Sequence, residues 1–416
     1  MKHIIAVSIA VSAATLFADL VPVSPRDGET VALVPDAQKK VMNLPTYAER
    51  LELLQADRKS DKKLRHSKQW QVARPLVLKW KATADEKGPW KILIGKKPDL
   101  SDAREWYVSA RKTDGASGRA TGEETASSDI VYEVPRANLE VATTYYWRVC
   151  TRGRCGEWNC SPWCKCKECK RAVVSEIASF ATEDFAPRWI AIEGHVGNIR
   201  DLGGRRTLDG RRVRQGLAYR GQGLNSNSIT GERRGRNRLT VEDVEYFTGT
   251  LGVKTDLDLR SKGETADLAV SPLGPSVKLV LRSSACYRGI FDKGGMATMA
   301  ENFRLFCDEK NYPIYFHCIG GADRTGSLAY VLNGVLGVDR HELETDWEST
   351  FYPTLAEMES GYTGPDFWKR EQHFNDGFGK YGDANTPWNE RIVLYLKDCG
   401  VTDAEIAAFR RIMLGD

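Results

Sequence analysis

The chain has 416 residues, 41% of them hydrophobic, and a formal net charge of +4. That length suffices for two or three domains with buried cores, and so even a charge balance gives no sign of a nucleic-acid partner while leaving an anionic substrate open. Beyond the N-terminus no stretch stays apolar for the ~20 residues that a membrane span needs.

Met1–His3 and the apolar run Ile4–Ala18 have the form of a signal peptide, cleaved after Ala18 or after Ala14. An N-terminal anchor is the alternative, with a run short for that purpose. The expected location is secreted or periplasmic, without a membrane span after cleavage. Residues 19–71 are polar and read as a lead-in segment, with one helical patch at Tyr47–Leu54.

From Val72 the hydrophobic period changes to two. Leu76, Leu78 and Trp80 alternate with Val77 and Lys79. Lys91–Gly95, Val131–Val134, Thr144–Val149 and Glu176–Thr182 follow as further short runs. Strands at such spacing predict an all-β sandwich over residues 72–186. Inside it lie Cys150, Cys155, Cys160, Cys164, Cys166 and Cys169. In an exported chain an even number of clustered cysteines predicts disulfides, with no pairing deducible. Cys164-x-Cys-x-x-Cys169 also has the spacing of a zinc or iron–sulfur site, which is the rival reading.

Residues 187–416 alternate strand and helix. Lys254–Leu259, Val277–Leu281 and Pro313–His317 read as strands, and Val241–Leu251, Glu301–Asp308, His341–Trp347, Arg391–Asp398 and Asp403–Leu414 as helices. The pattern predicts an α/β domain with a central, mostly parallel sheet flanked by helices, and ligands held at the strands' carboxyl ends.

The chemistry concentrates in Pro313-Ile-Tyr-Phe-His-Cys-Ile-Gly-Gly-Ala-Asp-Arg-Thr-Gly326. This reads as a buried strand, a glycine-containing loop and a helix starting near Arg324. Backbone amides of Ile319, Gly320, Gly321, Ala322, Asp323 and Arg324 can turn inward as an anion-binding nest, aided by the helix N-terminus. The same field favours a thiolate at Cys318, a nucleophile near neutral pH. Arg324 offers a planar fork for two phosphoryl oxygens. Thr325 is placed to donate to the sulfur, and His317 to shape the loop as a structural residue. A lone buried cysteine packing as a small hydrophobe is the bland alternative.

His-Cys-x-x-Gly-x-x-Arg-Thr-Gly resembles the signature of the cysteine-dependent protein-tyrosine phosphatase superfamily. With Asp before Arg it is similar to the bacterial branch that includes the secreted mycobacterial tyrosine phosphatase B. Asn198-Ile-Arg-Asp-Leu-Gly-Gly204, Tyr219-Arg-Gly221 and Asp258-Leu-Arg260 with Glu264 resemble that branch in the same order. The resemblance implies hydrolysis of phosphate monoesters through a phosphocysteine, with no metal or organic cofactor. It implies Asp323 as general acid, against a salt bridge to Arg324 or a helix cap, with Asp258 competing for that role or positioning water. Arg200, Asp201, Arg220 and Arg260 would line a substrate rim. Ala322 stands where the branch often has Lys. Expected substrates are phosphorylated proteins or small phosphate esters, with inositol phosphates or phosphoinositides as the alternative and a phosphate-binding pseudoenzyme as a further one. Leu139-x-Val-x-Thr143-x-Tyr145-x-x-x-Val149, with Trp80, resembles a fibronectin type III domain, which implies a protein or glycan partner.

Overall fold

The computed structural model describes residues 20–60, 73–82, 88–109, 129–151, 173–226, 235–352 and 364–415. The expected signal peptide and Cys155, Cys160, Cys164, Cys166 and Cys169 lie outside them. The chain divides into two compact units. One comprises Met1–Val31, Leu76–Val134 and Thr144–Ala181, the other Ala32–Pro75, Pro135–Thr143 and Thr182–Asp416. Among the described residues no helix is long and apolar enough to cross a membrane.

The first unit is built from antiparallel strands: β1 (Leu20–Ser24), β2 (Thr30–Val31), β3 (Leu76–Ala82), β4 (Trp90–Gly95), β5 (Arg104–Val108), β6 (Asp129–Val134), β7 (Thr144–Thr151) and β8 (Ala178–Thr182). They form two sheets, ordered β1-β3-β6 and β2-β8-β7-β4-β5. Alternation decides which side is covered: Leu76, Leu78 and Trp80 are buried while Val77 and Lys79 face out. Trp80 meets Trp90 of the other sheet edge-on, with ring centroids 5.8 Å apart. Cys150 on β7 is a buried free thiol, so its expected place in a disulfide is not met. Burial raises that thiol above its usual range, and it packs as a small hydrophobe.

The second unit differs from the expected domain boundary. The region read as lead-in supplies α1 (Asp36–Met42) and α2 (Tyr47–Ser60), and Val41, Met42, Tyr47 and Leu54 join the core of the catalytic sheet and helices. The pattern was obscured because Gln38 and Arg50 are buried beside them. Arg50 forks onto Glu348, with Nε 2.6 Å from Oε2 and Nη2 2.5 Å from Oε1.

The catalytic sheet comprises β9 (Arg200–Asp201), β10 (Ala218–Gln222), β11 (Thr255–Asp258), β12 (Lys278–Leu281) and β13 (Ile314–Cys318). Their order is β12-β11-β13-β10-β9, with only β9 antiparallel to its neighbour. Every residue of β13 is buried, as a central parallel strand requires. The helices are α3 (Val241–Glu245), α4 (Lys293–Leu305), α5 (Asp323–Val335), α6 (Arg340–Ser349), α7 (Gly364–Phe378), α8 (Trp388–Asp398) and α9 (Asp403–Leu414). The expected helix over Val241–Leu251 is α3 continued by a π turn at Tyr246–Thr250. Capping boxes start α3 (Thr240 with Asp243) and α9 (Thr402 with Glu405). Because β13 runs parallel between β10 and β11, its carboxyl end opens onto the loop that enters α5.

Candidate active site

Cys318 ends β13 and Asp323 begins α5, so the loop between them is short. Gly321 carries φ +67, and a Cβ there would collide with the Gly221 carbonyl. Only glycine allows this turn and this approach. Two loop carbonyls are tied away from the cradle: Asn198 Nδ2 donates to Gly320 O at 3.0 Å, and Arg220 Nη2 to Gly321 O at 2.8 Å. In a trans peptide the carbonyl and the following N–H point oppositely. Holding those carbonyls outward therefore turns the Gly321 and Ala322 amides inward.

Cys318 is 2% exposed. Burial alone would raise its thiol. The Thr325 hydroxyl and amide, the Arg324 charge and the Gly321 amide outweigh burial and bring it below the usual value. Thr325 Oγ1 is buried with no hydrogen-bond partner among the described residues, which leaves its hydroxyl available to the sulfur.

Beneath the loop lies a network absent from the sequence reading. Asp346 on α6 accepts Arg200 Nε at 2.9 Å, Arg205 Nη2 at 2.8 Å and Arg220 Nη1 at 2.6 Å. Burial would raise Asp346, but Arg200, Arg220 and Arg205 hold it far below the carboxylate range. Burial, with Arg200 nearby, brings Arg220 down to about 9. Arg200 also donates to Asn198 Oδ1, so both residues that orient the loop are anchored to this cluster. The expected rim is thus corrected: Arg200, Asp201, Arg220 and Arg260 are all at most 1% exposed. Arg200 and Arg220 form the cradle's floor. Asp201 instead receives Arg188 Nη1 at 2.9 Å and the amides of Gly203 and Gly216 at 2.9 and 2.7 Å.

Asp258 and Arg260 hold each other. Arg260 Nε and Nη2 lie 2.9 and 2.6 Å from the two Asp258 oxygens, and Nη2 also reaches Asn225 Oδ1 at 2.6 Å. Asp258 is fully buried in this pairing, so the structure does not bring its carboxyl to the cavity. His317 sits between the sheet's acids, with Nε2 2.9 Å from Asp256 Oδ1 and Nδ1 3.7 Å from Asp258 Oδ1. Burial lowers its basicity, but Asp258 and Asp256 outweigh this and raise it.

A cavity of about 690 Å³ opens over Asp323 and Arg324, walled by Glu264, Tyr287, Arg288 and Arg370 among others. Arg324 is oriented by Glu264, which accepts Nη1 at 2.6 Å and Nη2 at 3.0 Å. Arg324 first, against the opposing effect of burial and with Ser261 beyond, lowers Glu264 to about 2. Asp323 does not pair with Arg324. Its Oδ1 accepts the Tyr287 hydroxyl and lies 3.4 Å from Arg370 Nη1. Neither Tyr287 nor Arg370 belongs to a motif legible in the chain, and α7 was not expected. The need of three buried arginines for a counter-charge was the one available signal for Asp346.

Residues 191–415 match a family model described as "Tyrosine phosphatase family", covering more than half of the 416 residues. The chain belongs to the tyrosine phosphatase family. It is a phosphoric monoester hydrolase of that kind. No curated protein matches it. Among solved structures, the core catalytic domain of the PP-IP phosphatase SIW14 from S. cerevisiae, in complex with citrate, is similar over 38% of this chain and 88% of its own. Identity is 14% and the TM-score 0.22, too slight a likeness to bear on the substrate.

Proposed function

We propose that the second unit hydrolyses phosphotyrosine-type monoesters through a phosphocysteine at Cys318, as in the bacterial branch its motifs resemble. The observation that carries this is the thiol itself: a buried sulfur whose ionisation is favoured by Thr325, Arg324 and the Gly321 amide, on the loop that leads into the cavity-lining Asp323 and Arg324. In the first step the thiolate attacks phosphorus, an S–P bond forms and the P–O bond to the leaving group breaks. Arg324 and the loop amides hold the non-bridging oxygens and the charge that spreads over them. Asp323 gives its proton to the departing oxygen. In the second step it takes a proton from water as water attacks phosphorus, the S–P bond breaks and the thiolate returns. Asp258 is read as a positioning residue acting through Arg260 and His317.

Cys318→Ser tests the reading. Turnover of phosphotyrosine is expected to vanish while vanadate still binds the wild type; turnover above trace level in the variant would sink the mechanism.

The first unit is read as a fibronectin type III-like module that docks a protein or glycan, supported by its sheet order and by buried Trp80 and Tyr145. Failure of the full-length protein to retain any glycan or cell-surface protein would count against this. Export is proposed on Met1–Ala18, and an N-terminus at Asp19 in protein recovered from medium or periplasm is the expected result. Disulfides within Cys155–Cys169 remain proposed, against zinc; non-reducing mass spectrometry separates the two.

A further inference from the structure

Three groups converge on Asp323 from outside the phosphate-binding loop. Tyr287 donates its hydroxyl to Oδ1, Arg370 approaches the same oxygen at 3.4 Å, and Ser327 Oγ donates to the Asp323 carbonyl at 2.9 Å. Ser327 Oγ also accepts the Tyr287 amide at 3.1 Å, tying the two residues together by backbone as well as side chain. Oδ2 has no hydrogen-bond partner among the described residues.

Tyr287 is held at a cost. Its φ is +53, a left-handed backbone that a bulky residue keeps only where the surroundings enforce it. The enforcement is visible. The ring packs against Trp347 at 5.9 Å and Phe374 at 5.8 Å, and Arg370 lies 5.6 Å over it. The turn that carries it is pinned by two glycines: a Cβ on Gly295 would strike the Gly289 carbonyl, and one on Gly377 the Phe291 ring. A strained residue held this firmly, with its hydroxyl on one oxygen of a cavity carboxylate, has the marks of a functional constraint.

From this geometry we infer that Tyr287 is a positioning residue for the phosphatase reaction, engaging Asp323 Oδ1 so that Oδ2 carries the transferable proton toward the leaving oxygen. The inference rests on the reading of Asp323 as the acid. Burial, and then the Asp323 charge, push the Tyr287 phenol well above its usual range, so it stays a donor throughout the working pH. Proton balance is unchanged by its presence: the proton leaves Oδ2 in the first step and returns from water in the second, while the Tyr287 hydrogen stays on its oxygen.

The test compares phosphotyrosine with 4-nitrophenyl phosphate, whose leaving group needs little protonation. Tyr287→Phe is expected to lower kcat/KM on phosphotyrosine, which reports the step up to loss of the leaving group, about tenfold, the worth of one hydrogen bond to a charged group. On 4-nitrophenyl phosphate its kcat/KM should stay within about twofold. Other charged or titratable groups around that carboxylate are Arg370 and His373 on α7, Cys286 beside Tyr287, and Arg324 on its own helix with Glu264 opposite. All of them are retained in the variant.

Equal losses of kcat/KM on both substrates overturn the inference, since that is what a merely structural tyrosine gives. Should Tyr287→Phe fail to fold, Arg370→Gln removes the second donor to Oδ1 and is expected to show the same selectivity, more weakly; its absence there overturns the inference equally. Asp323→Asn is run alongside. If it is selective for phosphotyrosine while Tyr287→Phe is not, the positioning role falls and the acid stands. If Asp323→Asn lowers kcat/KM on both substrates alike, the acid reading falls as well.

Discussion

Arg220 Nη2 lies 2.8 Å from the carbonyl oxygen of Gly321. A side chain expected at a substrate rim thus acts from below, holding the Gly321 carbonyl so that the amide that follows it turns into the cradle. Arg220→Lys keeps a charge but not the planar fork that spans Asp346 and Gly321. Its kcat/KM is expected to fall roughly 10- to 100-fold, as loss of a charge-assisted hydrogen bond implies. Vanadate affinity should weaken in parallel. Kinetics equal to wild type would show that the loop holds its shape without this contact.

Glu264 both caps its turn through Ser261 and orients Arg324, and it is held down to about 2. A carboxylate depressed in the folded state stabilises above its unfolded value and loses that contribution as pH falls through the folded one. The window is therefore from about 4.5 down to about 2. Glu264→Gln should remove on the order of 2–3 kcal/mol at pH 7 and much less near pH 2, measured by urea midpoints across that range. Activity should drop too, because Arg324 loses its two-point anchor. A variant as stable as wild type at neutral pH would overturn the account.

The Arg50–Glu348 pair makes α2 part of the catalytic unit, with both side chains 1% exposed. Arg50→Ala strands a buried carboxylate and should cost about 3–5 kcal/mol at pH 7.5. Burial, the largest influence on Glu348, has already pushed it up to about 7 despite Arg50. The destabilisation should therefore shrink toward pH 5 as the carboxyl takes a proton. An Arg50→Met, Glu348→Leu double variant should recover most of the loss, seen by thermal unfolding. An additive double variant would argue against a paired contact.

Thiol reactivity gives a fourth expectation. Burial, first in each case, pushes Cys286 and Cys399 up to about 11 and Cys307 to about 12, whereas Cys318 is lowered. Near pH 7 iodoacetate should modify Cys318 ahead of these three, and phosphate should slow that reaction alone. Peptide mass mapping reads the order directly; preferential labelling of Cys286 would contradict it.

The fourteen residues from Pro313 to Gly326 were readable because their residue types and spacing are local. A buried strand, a turn only glycine allows, a helix start and an adjacent thiol follow one another in the chain, although the loop's amides are aimed by the distant Asn198 and Arg220. The period of two over Leu76–Trp80 was readable for the same reason, since alternation alone decides which face is covered. Tertiary structure decided the rest. Arginine is rarely fully buried without a partner, so Arg200 and Arg220 read as rim residues until folding brought Asp346, at a sequence distance of 146 and 126 residues, between them. Tyr287 and Arg370 reach Asp323 from elements 36 and 47 residues away. The helix holding Arg50 was legible as a helical patch, but its place in the catalytic core was not until Glu348 met its charge; the helix holding Arg370 was not expected. Local chemistry is written along the chain; the burial of a charge depends on a partner that only the folded chain supplies.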